Sequence, residues 1–280
     1  MSRKPDKQNG EIGHDKPVKA YKDLDFIMSR AGRSLRILAE FLEPEDRFER
    51  YNVSDTIVFF GSARIRPREV AEEALASAKK HGGDVARAQQ TLAMSRYYEE
   101  ARELSYRLTK WSKGLKGKSK RFVMCTGGGP GIMEAANRGA ADAKGHNIGL
   151  NISLPFEQHE NPYISHELAF EFHYFFMRKF WFSYLAKAMI VFPGGYGTLD
   201  EFFELMTLVS TRKMGKTMPV VLYGTEYWDE IMNLDAMVKF GTISPSDLEL
   251  FHCSDSVDDA FEFLTSKLTE HHVDKPGGGM

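Results

Sequence analysis

Short apolar runs alternate with amphipathic stretches along most of the chain. Asp55-Thr56-Ile57-Val58-Phe59-Phe60-Gly61-Ser62 is an apolar run closed by Gly-Ser, the pattern of a buried strand entering a turn. The runs at 121–125, 147–151, 188–192 and 219–223 repeat it, and 166–172 reads as a shorter strand. Between these runs the apolar spacing predicts helices over 67–80, 91–113, 132–143, 175–185, 198–211, 226–239 and 257–268. Gly82-Gly83 breaks the first helix from the second, 113–120 is a basic loop and 155–162 a polar one. Continuous apolar strands alternating with helices predict an α/β fold: a doubly wound parallel sheet with helices on both faces. Such a sheet binds ligands beyond the carboxyl ends of its strands, which narrows the search for chemistry to strand-to-helix turns. No tandem repeat is visible.

Ahead of the first strand the pattern is helical. Phe26, Ile27, Leu35, Ile37, Leu38, Phe41 and Leu42 recur at spacings of about three and four, with Arg and Glu between them. This N-terminal helical extension, 21–52, must bury its apolar face on the main domain or on a partner subunit. Residues 1–20 are polar and read as a disordered tail, as do 273–280, leaving 53–272 as the folded domain.

Composition removes several function classes. With 42% hydrophobic and 12% aromatic residues the chain has material for a sizeable core, so a disordered protein is excluded. Lys plus Arg number 37 against 39 Asp plus Glu, a net charge of -2, which argues against wrapping a nucleic acid polymer by bulk charge. Cys125 and Cys253 lie far apart, and neither they nor the nine histidines have zinc spacing, so neither a disulfide scaffold nor a metal site is expected. The N-terminus has no apolar leader, and no apolar run approaches the ~20 residues that span a bilayer. A cytoplasmic protein without membrane partners is expected.

Two strand-to-helix turns carry the chemistry. The first is Gly128-Gly129-Pro130-Gly131-Ile132-Met133-Glu134 and the second Gly194-Gly195-Tyr196-Gly197-Thr198-Leu199-Asp200-Glu201. Glycines let a ligand approach the backbone, and the first N–H groups of the helix, with its dipole, favour an anion such as phosphate. Neither turn fits Gly-x-Gly-x-x-Gly, because the sixth positions are Glu134 and Asp200, and neither ends in Gly-Lys-Ser/Thr. Dinucleotide redox chemistry and nucleoside triphosphate hydrolysis both lose ground. Glu134 and Asp200 read equally as dipole partners of their helices or as ligand contacts. Glu201 has a sharper reading, since a carboxylate beside a phosphate seat weakens binding unless it faces another part of the ligand. Near a ribose it stabilises positive charge on carbon or activates water. Arg178-Lys179 interrupts an aromatic stretch from Phe175 to Trp181, and Arg brings a planar fork of donors suited to a phosphate or a base edge.

These residues carry a family resemblance. Pro193-Gly194-Gly195-Tyr196-Gly197-Thr198-Leu199-Asp200-Glu201 resembles the PGGxGTxxE signature of the LOG ("Lonely Guy") family, and Arg178-Lys179 sits at that family's Arg-Lys pair. The 127–135 segment resembles the first glycine loop of its longer bacterial branch, and Phe60-Gly61-Ser62-Ala63-Arg64 its opening strand-turn. The resemblance spans about residues 53–265. It implies a Rossmann-like phosphoribohydrolase that splits the N-glycosidic bond of a nucleoside 5'-monophosphate, AMP or a cytokinin riboside monophosphate, into free base and ribose 5-phosphate. By resemblance Arg178 and Glu201 form the catalytic pair. Gly194, Gly195, Gly197 and Thr198 hold the 5'-phosphate, Ser62, Gly129 and Lys179 line the pocket, and Glu134 meets the ribose hydroxyls. No cofactor and no metal are implied, and the family forms dimers or higher homo-oligomers. The competing reading is a non-catalytic carrier of nucleotide or molybdenum cofactor on the same fold. The "lysine decarboxylase" label often attached to the family finds no support, since no lysine stands out as a Schiff-base site.

Overall fold

Strand β1 (Thr56–Phe60) is buried along its whole length, and its side chains divide between two apolar layers. Ile57 and Phe59 point into one, Val58 and Phe60 into the other. The same alternation recurs in β2 (Val123–Thr126), β5 (Ala186–Val191) and β6 (Val220–Tyr223), whereas β3 (Asn147–Ile152) sends Ile148 and Leu150 into the second layer and alternates them with Asn147, Gly149 and Asn151. With β4 (Ala169–Phe172) and β7 (His252–Ser254) they form one parallel sheet in the order β4-β3-β2-β1-β5-β6-β7. The computed structural model describes residues 17–154 and 161–277.

Helices cover both faces, as the continuous apolar strands require. Helices α4 (Val85–Lys113), α5 (Ile132–Asp142) and α10 (Val257–His271) pack Tyr98, Leu104, Ala136 and Leu264 against one face. On the other, α6 (Phe175–Tyr184), α7 (Tyr196–Ser210) and α8 (Thr225–Ile231) bring Trp181, Phe202 and Trp228. Strand order reverses its sense of progression at β1, which lies between β2 and β5. The turns leaving β1, β2 and β5 therefore converge at the carboxyl edge, where this architecture places ligands. Among the described residues no helix is long and apolar enough to cross a membrane.

The extension packs on the domain. It comprises a 3-10 turn (Ala20–Lys22), α1 (Leu24–Met28) and α2 (Arg33–Arg50). Phe41 and Phe48 of α2 meet Phe180, Trp181 and Phe170, while Leu35, Leu38 and Leu42 stay exposed. Its helical pattern is broken where the Ser29 hydroxyl donates to Phe26 O at 2.7 Å, ahead of Gly32.

Several elements depart from the sequence reading. The helix predicted from 91 begins at Val85, where the Asp84 side chain accepts from Arg87 N, and α3 (Arg68–His81) precedes it. The helix expected over 226–239 is two, α8 and α9 (Leu234–Lys239), because Asn233 caps a new start by accepting from Ala236 N. Strand β7 was not predicted: three residues, one of them His, carry no apolar run. Residues 166–172 are a 3-10 turn (His166–Leu168) followed by β4. Residues 273–277, read as tail, are tied down, with Arg121 donating to Val273 O and Gly277 N to Asp55 Oδ1. The 1–16 part of the N-terminal tail, 155–160 of the polar loop with His159, and 278–280 lie outside the described residues.

Candidate active site

Each turn is shaped by contacts its glycines permit. Gly131 has φ 73°, and a Cβ there would stand 2.3 Å from Ser62 O, so only glycine admits the close approach of the β1 loop. Ser62 joins the two turns through its backbone. Its N–H donates to Pro193 O at 2.9 Å, and its carbonyl accepts from Ile132 N at 3.1 Å. Beneath the first turn a buried polar network holds the chain. Thr126 donates to Asn137 Oδ1, and Asn161 Nδ2 reaches both that oxygen and the Gly128 and Gly129 carbonyls. A satisfied network of this kind rigidifies the loop it supports.

The second turn opens α7 with donors to spare. The N–H groups of Gly194 through Thr198 have no backbone acceptor among the described residues, as expected of a helix start. Gly194 is glycine because a Cβ would fall 2.1 Å from the Thr198 hydroxyl, whereas the ground beside Gly195 and Gly197 is open. Tyr227, which sequence reasoning passed over as one aromatic of a helix, donates its hydroxyl to Gly194 O at 2.9 Å.

Both turns wall one cavity of about 930 Å³ at the carboxyl edge of the sheet. Of the residues expected in the site, Ser62, Gly129, Arg178, Gly194, Gly195, Gly197, Thr198 and Glu201 line it. Arg178 from α6 and Glu201 from α7 face each other, Nη2 to Oε1 at 3.8 Å, with 14% and 9% of their side chains exposed. The Arg178 guanidinium lies 5.0 Å from the Phe175 ring centre and 5.6 Å from that of Phe182, and its Nε is buried with no hydrogen-bond partner among the described residues. The rings hold the guanidinium in the cavity wall.

Electrostatics single out the same pair. Burial pushes the Glu201 carboxyl up to about 7 from an ordinary 4.5, against the pull of Arg178 and Lys179. Burial also lowers the Arg178 guanidinium, with Glu201 and Asp200 opposing. A carboxylate poised near neutrality beside a cation in a cavity is suited to acid–base or electrostatic work on a bound ligand.

Two expected residues stand elsewhere. Glu134 does not line the cavity, because its carboxylate accepts from the Tyr98 hydroxyl at 2.6 Å. Lys179 does not line it either; its ammonium lies 2.8 Å from Asp200 and 2.7 Å from Glu204, clamping α6 to α7 behind the Arg178–Glu201 pair. Burial works against the Lys179 charge, but the two carboxylates outweigh it and hold the ammonium above its ordinary range. No cluster of His, Cys, Asp or Glu able to hold a metal occurs among the described residues. His272 is buried and bonds Thr217 O at 2.7 Å.

Residues 133–264 match a protein family described as "possible lysine decarboxylase". No curated protein matches the chain. Among solved structures, the molybdenum cofactor binding protein of the phototrophic bacterium Rippkaea orientalis is 17% identical with a TM-score of 0.47, over 76% of this chain and 96% of that one. The molybdenum cofactor carrier protein of Chlamydomonas reinhardtii is 18% identical with a TM-score of 0.43, over 77% and 99%. The structural-genomics target TM1055 is 19% identical with a TM-score of 0.46, over 76% and 99%.

Proposed function

We propose, on the premise that the chain belongs to the LOG family, that it hydrolyses the N-glycosidic bond of a nucleoside 5'-monophosphate, AMP or a cytokinin riboside monophosphate, to free base and ribose 5-phosphate. The observation that carries this reading is the buried Arg178–Glu201 pair beside a helix start with free N–H groups. The turn from Gly194 to Thr198 seats the 5'-phosphate, which places the attached ribose over Glu201. As the base departs, C1' gains positive charge, and the Glu201 carboxylate stabilises it and orients the attacking water. Arg178, which lines the cavity, holds the nucleotide and assists the leaving base. Each role needs Glu201 ionised, and Arg178 and Lys179 pull its pKa down toward that state against burial.

No lysine lines the cavity among the described residues, so the family's decarboxylase description finds no amine there for a Schiff base. A carrier of nucleotide or molybdenum cofactor would use the phosphate seat and leave the buried acid without a task. Incubating the purified chain with a panel of nucleoside 5'-monophosphates, and measuring base and ribose 5-phosphate, tests the proposal. Equimolar release of both products supports it. Binding without release from any nucleotide, at high protein concentration, leaves the carrier reading and defeats the enzyme.

A further inference from the structure

Three consecutive carbonyls of the second turn each accept from a different element. Pro193 O takes the Ser62 N–H of the β1 loop at 2.9 Å, and Gly195 O takes the Leu199 N–H of α7 at 3.0 Å. Between them, Gly194 O takes the Tyr227 hydroxyl of α8 at 2.9 Å, and no other donor reaches that carbonyl among the described residues. In a trans peptide the N–H points opposite to the C=O. Each engaged carbonyl therefore fixes the direction of the next N–H group, those of Gly194, Gly195 and Tyr196 in turn. None of these three donates to a backbone acceptor among the described residues. Two of the three anchors are backbone groups, and Tyr227 is the one side chain.

The middle peptide is also the one least held by sterics. It joins Gly194 to Gly195, so no Cβ on either side resists its rotation. A Cβ at Gly195 would meet nothing within 4 Å, and Gly195 is exposed on the cavity wall. Tyr227 is firmly placed by contrast. Its neighbour Trp228 is buried and donates Nε1 to Tyr223 O at 2.9 Å, and the Tyr227 and Trp228 rings stand edge to face 5.0 Å apart. At the start of α8 the Thr225 N–H donates to Asp255 Oδ1 at 2.8 Å. Burial raises the Tyr227 hydroxyl above its ordinary range, so it keeps its proton at neutral pH. That one proton is spent on Gly194 O, which leaves the hydroxyl none to give a phosphate directly. We propose that Tyr227 is a positioning residue of the phosphate seat, locking the Gly194–Gly195 peptide so that the Gly195 N–H faces the ligand phosphate. The inference rests on the reading above in taking the second turn as the phosphate seat; it does not require that hydrolysis occur.

Tyr227→Phe removes the hydroxyl and keeps the ring. AMP and adenosine, titrated separately by calorimetry into the full chain and into the variant, separate the phosphate from the rest of the nucleotide. The expected result is about tenfold weaker AMP binding in the variant, with adenosine affinity within about twofold of the unaltered chain. Retained adenosine binding and a cooperative unfolding transition show that the variant is folded. Unchanged AMP affinity overturns the proposal. So does an equal loss for AMP and adenosine, which marks a collapsed cavity wall. AMP bound no tighter than adenosine by the unaltered chain overturns it too, since the turn is then no phosphate seat. In turnover the loss belongs in KM, with kcat within about twofold, because the seat holds the phosphate alike before and during bond cleavage. A fall in kcat at constant KM overturns the role. Failure of the hydrolase reading is distinct, since absent base release with the AMP loss preserved removes the enzyme and keeps the positioning role. Base release with AMP affinity unmoved by the substitution does the reverse.

Discussion

Glu201 combines the proposed chemistry with a cost in stability. It binds its proton near pH 7 in the folded chain and near 4.5 when released. The folded state therefore holds the proton more tightly, and stability falls as pH rises from 4.5 to 7. Glu201→Gln, neutral at every pH, is expected to raise stability at pH 8 by about 1–3 kcal/mol, measured by denaturant unfolding. An unchanged midpoint contradicts the burial account. Activity has the opposite slope: base release is expected to rise through an apparent pKa near 7, read from the acid limb of the pH–rate profile. Arg178 and Glu201 were legible because a nine-residue motif and an Arg-Lys pair mark them. Lys179 belongs to that pair and Glu134 to the first glycine turn, but their destinations depend on Asp200 with Glu204 and on Tyr98. Motif spacing puts a residue on the right turn of a helix; the neighbouring elements decide where its side chain ends.

Helix α6 delivers Arg178, and the N-terminal extension fixes where α6 starts. Glu40 of α2 accepts from His173 N at 2.8 Å and Tyr174 N at 3.1 Å, capping an end that lacks a side-chain cap of its own. Its carbonyl accepts from Trp181 Nε1 at 3.1 Å. Glu40→Ala is expected to cost about 1–2 kcal/mol, seen as a lowered unfolding midpoint, with weaker nucleotide binding as α6 loosens. Normal stability would show that the cap is dispensable. The sheet and most helices were legible because continuous apolar strands and 3.6-residue periodicity survive in one sequence. The breaks at Ser29–Gly32 and Met232–Asn233 and the three-residue β7 were not, since a single side-chain cap or a short polar edge strand leaves no periodic signal. The inward face of α4, where Arg87, Gln90, Thr91 and Met94 line the cavity, was hidden for another reason: its polar stripe reads as a solvated surface until the cavity is known.

At the scale of the whole molecule the two ends of the sheet divide the labour. The carboxyl end holds the cavity; the amino end holds a buried cluster that secures residues 272–277. Asp55, fully buried, pairs with Arg121 and lies 3.7 Å from Lys187, and Arg121 also donates to His272 O at 2.6 Å. Lys216, pushed down to about 7 by burial, binds the Ser183 and Tyr184 carbonyls beside it. Arg121→Met, which leaves buried Asp55 only the longer contact to Lys187 and the Gly277 N–H, is expected to destabilise the fold by about 3–5 kcal/mol in thermal or denaturant unfolding; a loss under 1 kcal/mol contradicts a structural role for the pair. A net charge of -2 is compatible with anion binding because the positive field is local, made of helix N–H groups and arginines at one edge. The most direct measurement of the central claim compares the unaltered chain with Glu201→Gln for AMP binding and adenine release. The account predicts that the variant still binds AMP while its release of adenine falls by about a hundredfold or more. Adenine release at an undiminished rate from the variant would contradict it.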